Sequence, residues 1–310
     1  GHDALNSYTV RVADRAREIE SAIRDVMAIA KEVEKSGKRV VYLNIGDPAR
    51  FDFQTPAHVR KALAKATDGG HNYYAPSEGV QALKEAVAEK ERKVNSVRIS
   101  SEDVIITSGI SEGIQFLVGA LVQPGDEVLM PGPTYPPYIS FVKLFGGKPV
   151  AYRTVEDIDW LPDLEDLRRK ITEKTRALVI VNPSNPTGSL YDEKILKQML
   201  DIAAEHKLLI ASDEIYDRLV YDSKFTSTSA IAKDVPVVGL NGFSKTYVMT
   251  GWRLGYLYFH DPNGVLKELK EAIAKETRIR VSAATPIQYA AIRALKGSQR
   301  HITKMVRVLE

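Results

Sequence analysis

Cysteine is absent from this 310-residue chain. Disulfides, Cys-ligated zinc, iron–sulfur clusters and thiol nucleophiles are therefore excluded from it. The absence fits a reducing compartment such as the cytoplasm. Charge of one sign is also scarce: 43 Lys and Arg stand against 40 Asp and Glu, a net +3 with no basic block. That balance gives no footing for a nucleic acid or a membrane surface as partner. Long hydrophobic runs are missing as well. The longest apolar stretch, Ile114 to Val122, is too short to span a bilayer, and no charged-then-apolar secretory segment opens the chain. The start, Gly1-His2 in place of Met, reads as the remnant of a removed tag.

What is present is ordinary globular composition, 44% hydrophobic and 27% charged. The length fits one large domain with a smaller one. Residues 8–36 read as helical, and "RVVYLNIGDP" (39–48) as a short extended run broken by Gly46 and Pro48. Pro56 to Lys65 and Gln81 to Lys93 have helical periodicity around a loop, "GGHNYYAPSEG". From about residue 103, short β-rich runs alternate with helical segments: "DVIITSG", "DEVLMPG", "KPVAYR", "RALVIVNP", "KLLIASDE", "VPVVGLNG" and "RLGYLYFH". Runs apolar on both faces, with helices between them, predict an α/β layer built on a largely parallel sheet. Residues 286–310 read as one basic helical segment.

Ligands on such sheets sit at the carboxyl ends of the strands, so the residues just after each run carry the functional reading. "TSGISEG" (107–113) offers free N–H groups at a strand-to-helix turn, suited to a phosphate; a plain N-cap by Ser108 or Ser111 reads equally from the same residues. "PSNPTG" (183–188) holds Asn185 between two prolines, or is simply a stiff turn. "LLIASDEIYD" ends an apolar run on Asp213, a carboxylate that needs a partner there. That partner is a helix N-terminus or a protonated ring nitrogen, with Tyr216 able to aim a phenol at the same ligand. In "NGFSKTYVMTGWRLGY" (241–256), Lys245 is by itself an ordinary solvated lysine, or an amine for an aldehyde. Arg253 follows as a fixed charged fork suited to phosphate. Taken together these strand ends specify one ligand with a phosphate, a basic ring nitrogen, a phenolic oxygen and an aldehyde, namely pyridoxal 5'-phosphate (PLP).

The stretches "SKTYVMTGWRLGY", "NPSNPTG", "SDEIYD" and "NYYAPSEG", in this order, resemble the class I/II aminotransferases of PLP fold type I over roughly residues 20 to 305. "LNIGDP" and "PGPTYPPY" are most similar to the archaeal alanine or aspartate aminotransferase branch. The resemblance implies a mostly parallel mixed sheet sandwiched by helices, in a large domain over 47–285. Residues 1–46 and 286–310 would belong to a smaller, incomplete domain. It implies that Lys245 holds PLP as a Schiff base and serves as general acid–base, that Asp213 pairs with the ring nitrogen, and that Asn185 and Tyr216 bond the 3'-oxygen. Tyr135 would stack on the ring, and Gly109, Ile110, Ser111, Ser244 and Arg253 would hold the phosphate. Tyr74 would reach the phosphate of a partner subunit, making the enzyme a homodimer, and Gly46, with Asn185, would lie beside the substrate. No metal is expected.

Two departures accompany the resemblance. Gly242 stands where many members carry a second serine, so one phosphate contact is missing. The arginine that binds the substrate α-carboxylate in the family would fall beyond Glu310; the expectation is a piece of a longer chain, the alternative a shortened relative that supplies the carboxylate partner differently. Arg278 and Arg280 receive no role. The implied reaction moves the amino group of an L-amino acid, alanine or aspartate, to a 2-oxo acid such as 2-oxoglutarate in a ping-pong cycle. The same motifs also serve PLP-dependent lyases and synthases, and a truncated chain could bind PLP without turnover. A third use of the fold, ligand sensing in transcription regulators, needs a winged helix that residues 1–40 are too short to form.

Overall fold

The computed structural model describes residues 7–19, 49, 53–184, 187–220 and 223–308. Two expected site residues, Gly46 and Asn185, lie outside these residues, as do most of the expected N-terminal helix and the 39–48 run. Of the helix expected over 8–36, residues 14–19 are helical, whereas 8–13 are exposed and carry no regular structure.

The described core runs α1 (Ala57–Asp68), α2 (Gln81–Asn95), β1 (Val104–Thr107), α3 (Ile110–Leu121), β2 (Glu127–Gly132) and α4 (Pro136–Leu144). It continues with β3 (Lys148–Val155), β4 (Leu161–Pro162), α5 (Leu164–Lys170), β5 (Thr175–Val181), α6 (Glu193–Glu205) and β6 (Leu209–Asp213). Last come α7 (Thr228–Ile231), β7 (Val237–Gly242), β8 (Gly255–His260), α8 (Lys267–Arg280), α9 (Thr285–Lys296) and α10 (Arg300–Val308). Sequence reading anticipates each strand except the two-residue β4. It leaves α8 unread, because Glu and Lys crowd "KELKEAIAKETRIR" and only a narrow stripe, with Ile273, Ala274 and Thr277, is buried. The single helix expected over 286–310 is two, broken at Gly297, whose N–H caps the end of α9 on Arg293 O.

The eight strands form one sheet in the order β1-β8-β7-β6-β5-β2-β3-β4. Pairs β7/β6, β6/β5, β5/β2 and β2/β3 are parallel. Strand β8 runs antiparallel to both its neighbours, β1 and β7, and β4 antiparallel to β3. The sheet is therefore mixed, and β8 enters from the edge at which its neighbours end. Thr107 of β1 and Gly242 of β7 both pair with Gly255 of β8. That register puts residues 107–109, 242–245 and 253–255 at one edge.

Alternation along the strands divides the apolar residues between two faces. Leu209 and Ala211 of β6, with Ala177, Val179 and Val181 of β5, pack toward Ile114 of α3, Val142 of α4 and Ile273 of α8. Ile210, Leu178 and Ile180 point the other way, onto Leu196, Met199 and Ala203 of α6. Helices α1, α2 and α9 close over the β1/β8 end through Val59, Leu83, Val87, Ala290 and Ala294. Counting on by two from Leu209 and Ala211 carries Asp213 to the face covered by α3 and α4.

Candidate active site

Asp213 is the last residue of β6 and is 2% exposed. A carboxylate so placed needs donors, and it has them: Tyr138 OH of α4 donates to Oδ2 at 2.8 Å and Ile215 N–H to Oδ1 at 3.2 Å. Burial pushes the Asp213 pKa up to about 6, with those two hydrogen bonds opposing the rise. Two more phenols lie within its field. Tyr216, fully buried three residues on, is raised by burial and then by the Asp213 and Tyr135 charges. Tyr135, the N-cap of α4, is raised by burial and by Asp213, while Arg253 pulls it down. Tyr135 and Tyr138 meet edge to face, with centroids 6.3 Å apart. Asp213, Tyr216, Tyr135 and Arg253 thus share one neighbourhood.

The anion turn is built by steric exclusion. Gly109 caps α3 with φ +81°, a region that glycine enters without strain. The Arg253 guanidinium occupies the space a side chain would fill: a β-carbon at 109 would stand 2.9 Å from its Cζ. Gly255 works from the other side, since a β-carbon there would lie 2.9 Å from Gly109 C and Ile110 N. Arg253 itself adopts φ 53° and donates from Nη1 to Thr250 O at 3.0 Å and from Nη2 to Ser111 Oγ at 3.2 Å. The first-turn N–H groups of Ile110 and Ser111 have no helical carbonyl ahead of them and suit an anion.

Behind this turn stands a pair that sequence reasoning missed. Glu112 Oε1 accepts the Ser108 N–H at 2.9 Å and lies 3.2 Å from Arg280 Nε. Arg280 Nη2 donates to Ile106 O at 3.1 Å, and its guanidinium sits 5.3 Å over the Phe116 ring. Arg280 thereby fixes both the strand before the turn and the acid that caps it. The hint in sequence was Glu112 four residues after Ser108; Arg280, 168 residues further on than Glu112, left none.

Lys245 is half-buried between Ser244 (7% exposed) and Thr246 in the turn after β7. The turn is closed by Met249 N–H on Ser244 O at 3.0 Å and Val248 N–H on Lys245 O at 3.3 Å. It is tied down from outside by Thr55 Oγ1 on Val248 O at 2.5 Å and by His301 Nε2 of α10 against Thr246 O at 2.8 Å. Below it lies a buried polar cluster. Asp217 Oδ2 accepts Lys90 Nζ at 2.5 Å, Asn95 Nδ2 at 2.9 Å and Asn241 Nδ2 at 3.0 Å. Glu91 Oε2 accepts Lys90 at 3.2 Å and Tyr256 OH at 3.1 Å. The cluster joins the Asp213–Asp217 turn to the end of β7, and so to Lys245.

Of the residues expected from sequence, Gly109, Ile110, Ser111, Tyr135, Asp213, Tyr216, Ser244, Lys245 and Arg253 all fall at this sheet edge. Tyr74 stands apart, 82% exposed in the loop between α1 and α2. Tyr138 was missed, although two tyrosines three apart directly after β2 were its signal. Among the described residues no group of three His, Cys, Asp or Glu could hold a metal ion, and no helix is long and apolar enough to cross a membrane.

Known proteins resemble this chain in sequence and fold. The chain is 49% identical to a solved alanine aminotransferase from Pyrococcus furiosus, with a TM-score of 0.88 over 96% of this chain and 76% of that one. It is 37% identical to the glutamate–pyruvate aminotransferase AlaA of Escherichia coli, over 88% of this chain and 68% of that protein. It is 35% identical to a probable aspartate aminotransferase of Methanocaldococcus jannaschii, over 96% and 76%. Residues 38–310 match the family described as aminotransferase class I and II. The match takes in every strand of the sheet and the whole of its functional edge, and the chain therefore belongs to that PLP-dependent aminotransferase family.

Proposed function

We propose that the chain holds PLP at this edge through Lys245 and exchanges amino groups between L-alanine and 2-oxoglutarate. The observation that carries the reading is the pairing of a buried carboxylate, Asp213, with an anion turn emptied of side chains and backed by Arg253. These are the two fixed charges that a phosphorylated pyridine needs. The residues fit the group: Arg253, Ser111 and the N–H groups of Ile110 and Ser111 suit its phosphate, Asp213 its ring nitrogen, and Tyr216 its phenolic oxygen; Asn185, outside the described residues, is read as a second partner of that oxygen. Tyr135 offers the ring a stacking face. Alanine is chosen because the Pyrococcus and Escherichia relatives carry it, or pyruvate, in their names.

Bound PLP supplies an aldehyde that takes up the substrate amine and a ring that spreads the electrons of the broken Cα–H bond. The chain supplies the rest. Lys245 Nζ, once neutral, is the base for the substrate α-proton. Asp213, held ionised by Tyr138 and Ile215 N–H, keeps a proton on the ligand's ring nitrogen. The buried Tyr216 hydroxyl remains a proton donor. Gly46 and Asn185 are read as substrate contacts. Residues 1–46 and 286–310 are read as parts of a smaller domain beside 47–285.

The working form in this reading is a cytoplasmic homodimer in which Tyr74 serves the partner's site. The exposure of the adjacent Tyr73 and Tyr74, at 55% and 82%, supports a covered surface there. The test is a visible spectrum with PLP, then with alanine. A yellow species that is absent in Lys245→Ala and bleaches with alanine as one equivalent of pyruvate forms is the expected result. Continuous pyruvate and ammonia release from serine or cysteine, whose β substituent can leave, with no amine acceptor present would mean a lyase. A colourless chain would sink the cofactor assignment.

A further inference from the structure

We propose that Tyr138 is a positioning residue for this reaction: its hydroxyl clamps Asp213 Oδ2 and keeps the carboxylate ionised and aimed at the ligand's ring nitrogen. The inference rests on the PLP reading above and goes beyond it, to a residue on a different element.

Tyr138 is in the first turn of α4 and 1% exposed, and Asp213 ends β6 at 2% exposed. Their 2.8 Å contact joins the helix to the strand, with no water needed to mediate it. Burial and the neighbouring carboxylate hold the Tyr138 phenol well above its usual pKa, so it is a permanent donor. A donor to the charged form favours ionisation, whereas burial disfavours it. Asp213 sits at the balance point of the two. The opposing donor on Oδ1, Ile215 N–H, is longer at 3.2 Å and belongs to the carboxylate's own turn. Among the described residues, only the Tyr138 bond therefore fixes the carboxylate against another layer of the fold. With two of about four lone-pair directions occupied, the rest remain for a ring N–H. Among the described residues, the other titratable groups seen to interact with this acid are Tyr135 from the α4 N-cap and Tyr216 from its own turn, with Arg253 acting on Tyr135 from before β8; Lys245 lies in the turn that follows the neighbouring β7.

A residue that only filled space would weaken cofactor binding equally at every pH. A donor to a titrating acid does something else. Tyr138→Phe removes a charge-assisted bond and raises the Asp213 pKa by about one unit. The wild-type and Tyr138→Phe chains are titrated with PLP from pH 5 to 9, and the affinity ratio is plotted against pH. The expected result is about a tenfold loss at pH 5, falling to about threefold near pH 6.5 and to little or none above pH 8, where both carboxylates are ionised. A loss of the same size across the range would overturn the proposal. Replacing Tyr138 with 3-fluorotyrosine guards against a misfolded phenylalanine variant. It has nearly the same shape and is a stronger donor, so the acid limb should move to lower pH; an unmoved limb would overturn the proposal independently. Failure of the wild-type chain to bind PLP at any pH would instead bring down the cofactor reading and the inference with it.

Discussion

The Arg253 guanidinium lies against the α-carbon of Gly109, in the volume that any other residue's side chain would need. The arginine is held there by Ser111 Oγ and Thr250 O. Gly109→Ala would therefore do two things at once: strain a backbone at φ +81° and push Arg253 off the anion turn. The strain costs about 1 kcal/mol or more of stability. The loss of an aligned charge-assisted contact should weaken PLP by tenfold or more. Calorimetric melting and a PLP titration separate the two effects. A variant that binds PLP as tightly as wild type would mean Arg253 is not the anion's partner.

The Arg280–Glu112 pair predicts a second-layer effect on the same turn. Arg280→Lys keeps the charge but loses the fork that reaches Glu112 Oε1 and Ile106 O together. Cofactor affinity should fall several-fold while the variant remains folded. Glu112→Gln, which keeps an acceptor for Ser108 N–H, should be milder. Equal affinities for Arg280→Lys and wild type would reduce the pair to a surface-like contact.

The strand ends were legible because Asp213 closes a short apolar run and Ser244 and Lys245 follow another closely, whereas Arg253 precedes its strand. Each of Asp213, Lys245 and Arg253 had a plain reading by itself, and only their occurrence together at successive strand ends pointed to one ligand. The antiparallel course of β8 was not legible, since "GYLYFH" is apolar in either direction, yet it is what carries Arg253 to the edge where β1 ends. Tyr138 and Arg280 were harder for another reason. Their partners Asp213 and Glu112 lie 75 and 168 residues away along the chain, and no periodicity encodes a contact between layers. The α8 helix that bears Arg280 was unread for its sparse apolar stripe.

Lys90 stands between two buried carboxylates, Asp217 at 2.5 Å and Glu91 at 3.2 Å. Burial works against its ammonium, but those two charges outweigh it and hold its pKa well above the usual lysine value. Lys90→Met would strand both acids, a loss of about 3–5 kcal/mol at neutral pH. The sign of the pH dependence follows. Without the cation a carboxylate in the pair takes up a proton more readily folded than unfolded, so the deficit should shrink as pH falls. Urea melts at pH 5 and pH 7.5 measure it. A deficit that grows on acidification would contradict the assignment of Lys90 as the counter-ion.

Glu214 gives the last prediction, because it follows Asp213 in sequence yet points to the opposite face. Its oxygens accept Ser227 Oγ at 2.7 Å, Ser212 Oγ at 2.8 Å and Thr228 N–H at 3.1 Å. Burial, then the nearby Glu91 charge, pushes its pKa up to about 8, with those bonds opposing. The folded pKa is above the unfolded one, so the folded chain binds the extra proton. The stability this gives is fully present below about pH 4.5, the ordinary Glu range, and is lost as pH rises toward 8. Asp213, raised to about 6, adds a smaller loss of the same sign in the cofactor-free chain between about pH 4 and 6. Glu214→Gln keeps the shape and cannot ionise, so it should flatten the decline between pH 6 and 8 and leave the Asp213 part untouched. Denaturant midpoints across that range, taken without PLP, decide it: a decline as steep in Glu214→Gln as in wild type would place the titrating group elsewhere.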